Sequence, residues 1–186
     1  MKQTGLLFTP ENYDKVLAGT KTQTRRLIKP QPPVGAVVWQ SEGIGEKWQV
    51  RRCDPWHSII CPYGTAGDRL YVKEGLERTS VGNRIQYRCD KAPLYDRRSW
   101  PWQRDTLSPL HMPKWAARLW LEITEVRVER IQQISYDDEG REGVTLGPEC
   151  NDRHSGFIAL WESIHGKGSW QRNDWVWVLS YRKVQP

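Results

Sequence analysis

The sequence predicts an α+β fold in which a small mixed β-barrel carries a few flanking helices. Three observations predict it: several short segments with strand-like alternation, few segments of helical period, and a strand-like segment at each end of the chain. These features favour a barrel over a parallel βαβ sheet. The chain is long enough for one core, and we predict a single domain over 1–186 with irregular insertions near 34–62 and 91–114.

The first elements are well marked in the sequence. A short strand, GLLF, precedes a helix that Thr9 caps, that has Pro10 at its first position, and that Gly19 ends. The residues from Lys21 to Arg26 then form an ordered turn or the start of a strand. The prolines that follow interrupt regular structure.

The middle of the chain contains one informative acid. A short hairpin is predicted around AVVWQSEGIGEKWQVRR, followed by strands over YGTAGDRLYVKEGLE and NRIQYRC. In the first of these strands Glu74 shares the face of Leu70 and Val72. A carboxylate on an apolar face is costly unless it is paired or used, so Glu74 is a candidate functional residue.

The second half of the chain predicts two long strands and two helices. The alternation in RLWLEITEVRVERI indicates a long or bulged strand, or two strands, and Ser135 is placed to cap a short helix after it. HSGFIALWESIHG has the pattern of an amphipathic helix. Both faces of the last strand, DWVWVLSYRKV, are apolar, so this strand is predicted to be central and buried on two sides.

The composition favours an anionic partner without proving one. The formal net charge is +6, and the chain has eleven Trp against two Phe. Lys and Arg attract phosphates, and indole rings offer surfaces on which bases stack. A cationic surface also keeps a protein soluble, and most of the indoles are expected in the core, so these alternatives stay open.

The four cysteines indicate reduced thiols rather than a disulfide or metal framework. No leader segment and no long apolar run is evident, so we expect a cytoplasmic protein that does not span a membrane. Cys53, His57 and Cys61 are regularly spaced, but the spacing fits none of the usual zinc sites. We therefore predict no metal and no cofactor.

The segment GTKTQTRR resembles the G-x-K-x-x-x-x-R signature of the ASCH family through Gly19, Lys21 and Arg26. Four other segments resemble the phage and prophage branch of that family: CPYGTAGDRLYVKE, HMPKWAARLWLEITEVRVERI, ISYDDEGREGV and GSWQRNDWVWVLSYRKV. The resemblance covers most of the chain apart from the two insertions. It implies a barrel similar to the PUA fold, which is an RNA-binding platform, with a pocket beside it.

Some ASCH proteins are amidohydrolases that remove the acetyl group of N4-acetylcytidine, using the pattern K-x-x-T followed by a strand Glu. The resemblance implies that Lys21 is the base, Thr24 the nucleophile and Glu74 the acid that protonates the leaving amine. We expect these three side chains to meet at one concave site. The residues predicted to bind substrate around them are Gly19, Arg25, Arg26, Arg69, His111 and Trp115.

The residue chemistry is compatible with this assignment. A Thr hydroxyl is a weak nucleophile, and Lys21 can activate it only if burial or the neighbouring Arg25 and Arg26 lower the lysine pKa toward neutrality. A carboxyl group on an apolar strand face suits a general acid for a leaving amine. The expected partner is a modified cytidine nucleoside or a nucleic acid, and a monomer is favoured.

Two other functions stay open. In an RNA- or DNA-binding module without turnover, Lys21 and Glu74 form a buried ion pair while Arg25 and Arg26 hold phosphates. A phage-encoded nuclease is the third alternative. It is disfavoured because a metal-dependent nuclease needs clustered carboxylates, and Asp137 and its neighbours are only loosely grouped.

Overall fold

The computed structural model describes residues 1–40, 47–51, 57–80, 82–94, 98–145 and 152–185. In chain order the strands are β1 (Gln3–Leu7), β2 (Gln23–Leu27), β3 (Val37–Gln40), β4 (Lys47–Arg51), β5 (His57–Ile60), β6 (Arg69–Lys73), β7 (Leu76–Arg78), β8 (Ile85–Tyr87), β9 (Thr106–Leu107), β10 (Trp120–Arg130) and β11 (Trp175–Val184). The helices are α1 (Pro10–Leu17), α2 (Tyr136–Arg141) and α3 (Arg153–His165). The molecule is therefore mixed α+β.

The main sheet has five strands in the order β1-β6-β10-β11-β2. Its β1–β6 pair is parallel and its other pairs are antiparallel. The long β10–β11 ladder shifts register between Ile123 and Glu125, which confirms the predicted bulge. β11 lies between two neighbours, and Val178 and Leu179 on its opposite faces are both fully buried, so the predicted central strand is confirmed as well.

None of the sheets in the described part of the chain closes into a barrel, and on this point the predicted architecture is wrong. The edge strands of the main sheet, β1 and β2, pair only with β6 and β11. Helix α1 and the turn after it occupy the chain between these edges. A side chain spans the two edges instead of a ladder: Arg26 on β2 donates a hydrogen bond of 2.6 Å to the carbonyl oxygen of Leu7 on β1.

Two smaller antiparallel sheets flank the main one, with orders β3-β4-β5 and β8-β7-β9. The predicted hairpin is present as β3–β4, and β5 adds a third strand to it. The sequence predicts only a short hairpin in an irregular insertion here, whereas the structure has three paired strands. This sheet forms because Trp48 and Val50 alternate onto one face of β4 and are buried.

The core lies on both faces of the main sheet. One face packs against α1, through Tyr13 and Val16, and against the β3-β4-β5 sheet. The other face packs against α3 through Phe157 and Trp161. A third apolar cluster forms around the β8-β7-β9 sheet. Among the described helices, none combines the length and the apolar run that crossing a bilayer requires.

The predicted helix boundaries near the site are confirmed. The Thr9 hydroxyl accepts a hydrogen bond of 3.3 Å from the Asn12 amide at the start of α1, and Pro10 is its first residue. Gly19, with φ of 76°, follows its last turn. The Ser135 hydroxyl caps α2 by accepting a hydrogen bond of 3.2 Å from the Asp138 amide.

Replacing Leu121 with alanine tests the position of the core. Leu121 is 0 % exposed and lies between β6 and β11, so its truncation leaves a cavity that the surrounding strands cannot fill. We expect Leu121→Ala to lower the free energy of unfolding by about 2–5 kcal/mol, measured by urea denaturation. Leu110→Ala is the matched control, because Leu110 is 60 % exposed and its truncation should cost less than about 0.5 kcal/mol. Equal losses for the two variants would contradict the fold.

Candidate functional site

A buried ion pair lies where the chain enters β2. The Lys21 ammonium is 3 % exposed and donates hydrogen bonds to Glu142, at 2.5 Å to Oε2 and 2.7 Å to the main-chain carbonyl oxygen. Burial lowers the pKa of Lys21 below its ordinary value, and the Glu142 carboxylate offsets only part of that effect. The amine is therefore closer to losing its proton than a surface lysine is.

Local backbone geometry lets these two residues meet. The Thr22 amide donates a hydrogen bond of 2.8 Å to the carbonyl oxygen of Arg141, which ties the chain after α1 to the end of α2. Gly143 has φ of 80°, and a Cβ at that position would lie 3.1 Å from the Cβ of Lys21. A glycine therefore gives both the required turn and the space for Lys21 to approach.

Arg25 joins this ion pair to the rest of the fold. Its guanidinium is almost fully buried and contacts Glu129 at 2.7 Å, Asp138 at 3.2 Å and Glu142 at 3.1 Å. It also donates a hydrogen bond of 2.7 Å to the Gln23 side chain. One side chain of β2 thereby binds β10, α2 and the residue after α2, and the charge cluster satisfies itself with little water.

Asp138 is the second carboxylate of the cluster. Burial opposes its ionisation, but hydrogen bonds from Arg127, at 2.8 Å, and Gln23, at 3.2 Å, together with the Arg25 charge, outweigh burial. The net effect is a pKa below the ordinary aspartate value. Asp138 therefore stays ionised and holds the arginines in place.

A cavity of about 270 Å³, which we call the Lys21 cavity, opens above the ion pair at the free edge of β2. Its polar lining contains Lys21, Thr24, Arg25, Arg26, Glu142 and Asn12. Its apolar wall contains Phe8 from the β1–α1 turn and Phe157, Leu160, Trp161 and Ile164 from α3. A concave apolar site with a few convergent polar groups is the usual form of a small-molecule pocket, and this volume lies at the small end of that range.

Thr24 and Arg26 lie on the face of β2 that packs toward α1, opposite to the face that carries Arg25. Thr24 pairs with Leu179 and Arg26 with Trp177 across the β2–β11 ladder. Thr24 is 4 % exposed, and both Thr24 and Lys21 are lining residues of the Lys21 cavity.

Three buried donors near this site have no hydrogen-bond partner among the described residues, namely Arg26 Nε, Trp161 Nε1 and the Tyr181 hydroxyl. Burial raises the pKa of Tyr181 strongly, with a further rise from Glu142 and an opposing effect from Arg26. Tyr181 therefore lies within electrostatic reach of both residues and stays protonated. Unpaired buried donors are rare in folded proteins, and Arg26 and Trp161, which carry two of these three, line the Lys21 cavity.

Glu74 does not line the Lys21 cavity, which corrects the expectation that it meets Lys21 and Thr24. It is buried, at 6 % exposure, and lines a different cavity of about 560 Å³, here called the Glu74 cavity. Helix α1 contributes Asn12 to the Lys21 cavity and Tyr13 to the Glu74 cavity. Glu74 lies between β6 and β7, and its buried carboxylate pairs with Arg118 and not with Lys21.

The pairing of Glu74 is saturated. Arg118 binds both carboxylate oxygens, with Nε at 3.0 Å and Nη2 at 2.6 Å, and the Cys89 thiol donates at 3.4 Å. The guanidinium lies 3.9 Å from the centre of the Tyr87 ring. Burial and the Glu74 carboxylate raise the pKa of Cys89 to about 11, so this thiol is not an activated nucleophile. The group has the contacts of a structural cluster.

The other residues predicted to bind substrate lie at different places. Arg25 and Arg26 line the Lys21 cavity, whereas Gly19 is exposed in the turn after α1. Arg69, on β6, donates a hydrogen bond of 3.4 Å to the carbonyl oxygen of Gln185. His111 is exposed at the end of a short 3-10 turn, and Trp115 stacks on a neighbouring indole near the β8-β7-β9 sheet. His111 and Trp115 do not line the Lys21 cavity.

The cysteines add no described metal site. Neither Cys61 nor Cys89 forms a disulfide bond among the described residues, Cys53 and Cys150 lie outside those residues, and the His57 side chain is not described. Within the described ranges no group of three or more His, Cys, Asp and Glu side chains is arranged to hold a metal ion.

Glu142 is the functional residue that the sequence reasoning missed. A signal for it exists, because Asp138 and Glu142 are four residues apart at a predicted helix and therefore share one side of it. Both carboxylates indeed turn toward β2, where Lys21 and Arg25 lie. The spacing predicts that the two carboxylates share a face of the helix, but it does not predict that Lys21 and Arg25 are their partners.

Comparison with known proteins gives limited information. No family model matches the chain, and no curated protein matches it. Two solved structures are similar over the whole chain and over 81 % of their own length. They are protein EF3133 from Enterococcus faecalis V583, family-model DUF984, with TM-score 0.46 and 10 % identity, and an ASCH domain from Lactobacillus crispatus JV V101, with TM-score 0.44 and 14 % identity. At these values neither likeness assigns a function to the chain.

A double-mutant cycle tests the buried pair. Lys21→Met and Glu142→Gln should each lower the free energy of unfolding by about 3–5 kcal/mol, because each leaves a buried charge without its partner. The free energy of unfolding of the double variant should fall by about 1–3 kcal/mol less than the sum of the two single losses, measured by urea denaturation. The exposed pair Lys15 and Glu11 is the control, with an expected coupling below about 0.5 kcal/mol. Additive losses at Lys21 and Glu142 would contradict the ion pair.

The pH dependence of stability tests Asp138. Because its pKa is lower in the folded state, its contribution is present above the ordinary aspartate value near 3.8 and is lost as the pH falls through the lowered pKa. Asp138→Asn should lower stability at neutral pH and make the decline below about pH 4 shallower. Asp137→Asn, an exposed neighbour, should keep the wild-type decline. An unchanged slope in Asp138→Asn would refute this role.

Proposed function

We propose that the chain is a metal-independent amidohydrolase that removes the acyl group from the N4 amine of a cytosine nucleoside. One observation carries the proposal: a desolvated lysine with a lowered pKa, hydrogen-bonded to a carboxylate, lies at the floor of a cavity that a buried threonine lines. Lysine, threonine and carboxylate are the groups that a nucleophilic amide hydrolysis needs. In this proposal Glu142 takes the role that the sequence analysis gave to Glu74.

The first step is attack by Thr24. The Lys21 ammonium passes a proton to Glu142, and the neutral amine accepts the Thr24 hydroxyl proton as the oxygen bonds to the acyl carbon. The carbonyl π-bond breaks, and the negative charge develops on the acyl oxygen. Arg26 Nε, which is buried and has no partner among the described residues, is available to stabilise that oxygen.

The second step releases the cytosine nucleoside. As the tetrahedral intermediate collapses, the carbon–nitrogen bond breaks, and the Glu142 carboxyl group donates its proton to the departing N4 amine. The acyl group is then an ester of Thr24. Lys21 again passes a proton to Glu142, and the neutral amine takes a proton from water as the water oxygen bonds to the acyl carbon. The ester bond to Thr24 then breaks, Glu142 returns its proton to the Thr24 oxygen, and the carboxylic acid leaves. No metal or cofactor enters these steps.

The wall of the cavity suits a cytosine ring. Phe157 and Trp161 on α3 are aromatic and buried, and they provide stacking surfaces next to the polar floor. Asn12 carries both a donor and an acceptor, which match the edge of a pyrimidine. A volume of about 270 Å³ suits a base with a small acyl group better than a larger substrate.

A nucleic-acid-binding module without turnover is the second candidate function. The observation that favours it is the ion pair itself, because a Lys21 that keeps its proton and stays bonded to Glu142 has a purely structural role. Arg26 then serves as a phosphate contact. Turnover assays separate the two functions.

Substitutions of the three groups test the proposal. Lys21→Arg keeps the positive charge but removes a group that can lose its proton near neutral pH, so kcat should fall by about 10²–10⁴-fold. Thr24→Ala and Glu142→Gln should lose a comparable factor, and their combination little more, because the groups act as a unit. The measurement is release of cytidine from N4-acetylcytidine.

Two matched controls accompany this test. Thr22→Ala changes an exposed threonine two residues from Thr24, and Glu74→Gln breaks the other buried carboxylate pair. Both should keep kcat within about threefold of the wild type at a temperature where thermal unfolding shows every variant folded. Near-normal deacylation by Lys21→Arg and Thr24→Ala would refute the enzyme assignment, and loss in Glu74→Gln alone would return the acid role to Glu74.

A further inference from the structure

A second cavity of about 500 Å³, here called the Lys29 cavity, lies next to the Lys21 cavity. Arg26 and His165 line both cavities, so the two share a wall at the end of α3. The remaining lining of the Lys29 cavity comes from the segment that leaves β2 and from β5 with the turn after it. A ligand that fills the first cavity and extends past Arg26 therefore enters the second.

The charge of the Lys29 cavity is cationic. Arg26 and Lys29 line it, and no carboxylate is among its described lining residues. The Glu74 cavity differs, because Asp14, Glu74 and Asp90 line it beside a single lysine. A phosphate is therefore attracted to the Lys29 cavity and repelled by the Glu74 cavity.

The shared wall has the geometry of a phosphate contact. The Arg26 guanidinium is held by the Leu7 carbonyl oxygen at 2.6 Å and lies 5.4 Å from the centre of the Phe8 ring, so it is oriented before a ligand arrives. Its Nε has no hydrogen-bond partner among the described residues. The His165 ring lies 4.0 Å from the Trp161 ring, and burial followed by the Arg26 charge lowers the His165 pKa. His165 is therefore neutral at neutral pH and available as a hydrogen-bonding group.

The far side of the Lys29 cavity is apolar and partly exposed. Ile59 and the 62 % exposed Ile60 come from β5, and Tyr63 follows them, with the buried Trp177 beneath. Aromatic and aliphatic side chains next to a cationic groove are the arrangement on which single-stranded nucleic acids stack their bases. The cavity volume is sufficient for one nucleotide.

We propose that the Lys29 cavity binds the nucleotide next to the acylated cytidine in a single-stranded polynucleotide, with the joining phosphodiester between Arg26 and Lys29. The inference rests on the proposed function, which places the acylated cytosine in the Lys21 cavity. It names the substrate class, because a free nucleoside leaves the Lys29 cavity unused and a strand fills it.

A kinetic comparison tests this inference. N4-acetylcytidine is compared with dinucleoside phosphates that join the same residue to uridine on either side. For one of them we expect kcat/KM about tenfold above that of the nucleoside, through one charge-assisted contact. Lys29→Gln should remove most of that advantage, and so should a neutral methylphosphonate linkage in the wild type. Lys183→Gln, an exposed lysine outside both cavities, should keep the advantage.

If deacylation occurs, equal kcat/KM for the nucleoside and both dinucleotides, or an advantage that Lys29→Gln leaves intact, overturns the inference while the proposed function stands. If no acylcytidine is deacylated, the proposed function fails, and the binding of an oligonucleotide tests the inference instead. Fluorescence anisotropy with a labelled, unmodified oligocytidine should then show about tenfold weaker binding for Lys29→Gln than for Lys183→Gln. Equal binding by these two variants overturns the inference.

Discussion

The buried positive charge of β2 is the constraint on which the rest of the structure depends. Lys21 and Arg25 are both almost fully shielded from water, and charges in that position are tolerated only when carboxylates face them. Glu129 comes from β10, while Asp138 and Glu142 come from α2 and the residue after it. The orientation of α2 against the sheet is thus set by charge pairing, and apolar packing under α3 completes that side of the core.

The same burial gives the site its chemistry. β2 is an edge strand, so a cavity forms beside it instead of another strand, and Lys21 lies at its floor. Burial of a charged side chain lowers the stability of a fold, but here it also lowers the pKa of Lys21. An amine with a lowered pKa is better able to lose its proton and then to accept one from another group. In the proposed mechanism, stability and reactivity both depend on one contact, the ion pair between Lys21 and Glu142.

Local features were predictable from the sequence, and long-range partners were not. The Thr9 cap, the bulge in β10 and the buried faces of β11 follow from spacing and alternation, and the structure confirms them. Glu74 is buried as its strand pattern indicates, but its partner Arg118 lies 44 residues away, and Glu142 lies 121 residues from Lys21. Such pairs form only when distant segments meet in the fold. No pattern within one segment could therefore show whether Glu74 or Glu142 pairs with Lys21. The barrel prediction failed for a similar reason, because closure depends on whether the edges β1 and β2 pair.

The most direct measurement of the central claim is mass spectrometry of the protein quenched during turnover of N4-acetylcytidine. If Lys21 activates Thr24, the peptide that contains Thr24 should carry one acetyl group as an ester, which hydroxylamine at neutral pH removes. The label should be absent in Thr24→Ala and in protein incubated with cytidine alone. Turnover without an acyl group on Thr24, or a stable amide on Lys21 in its place, would contradict the account.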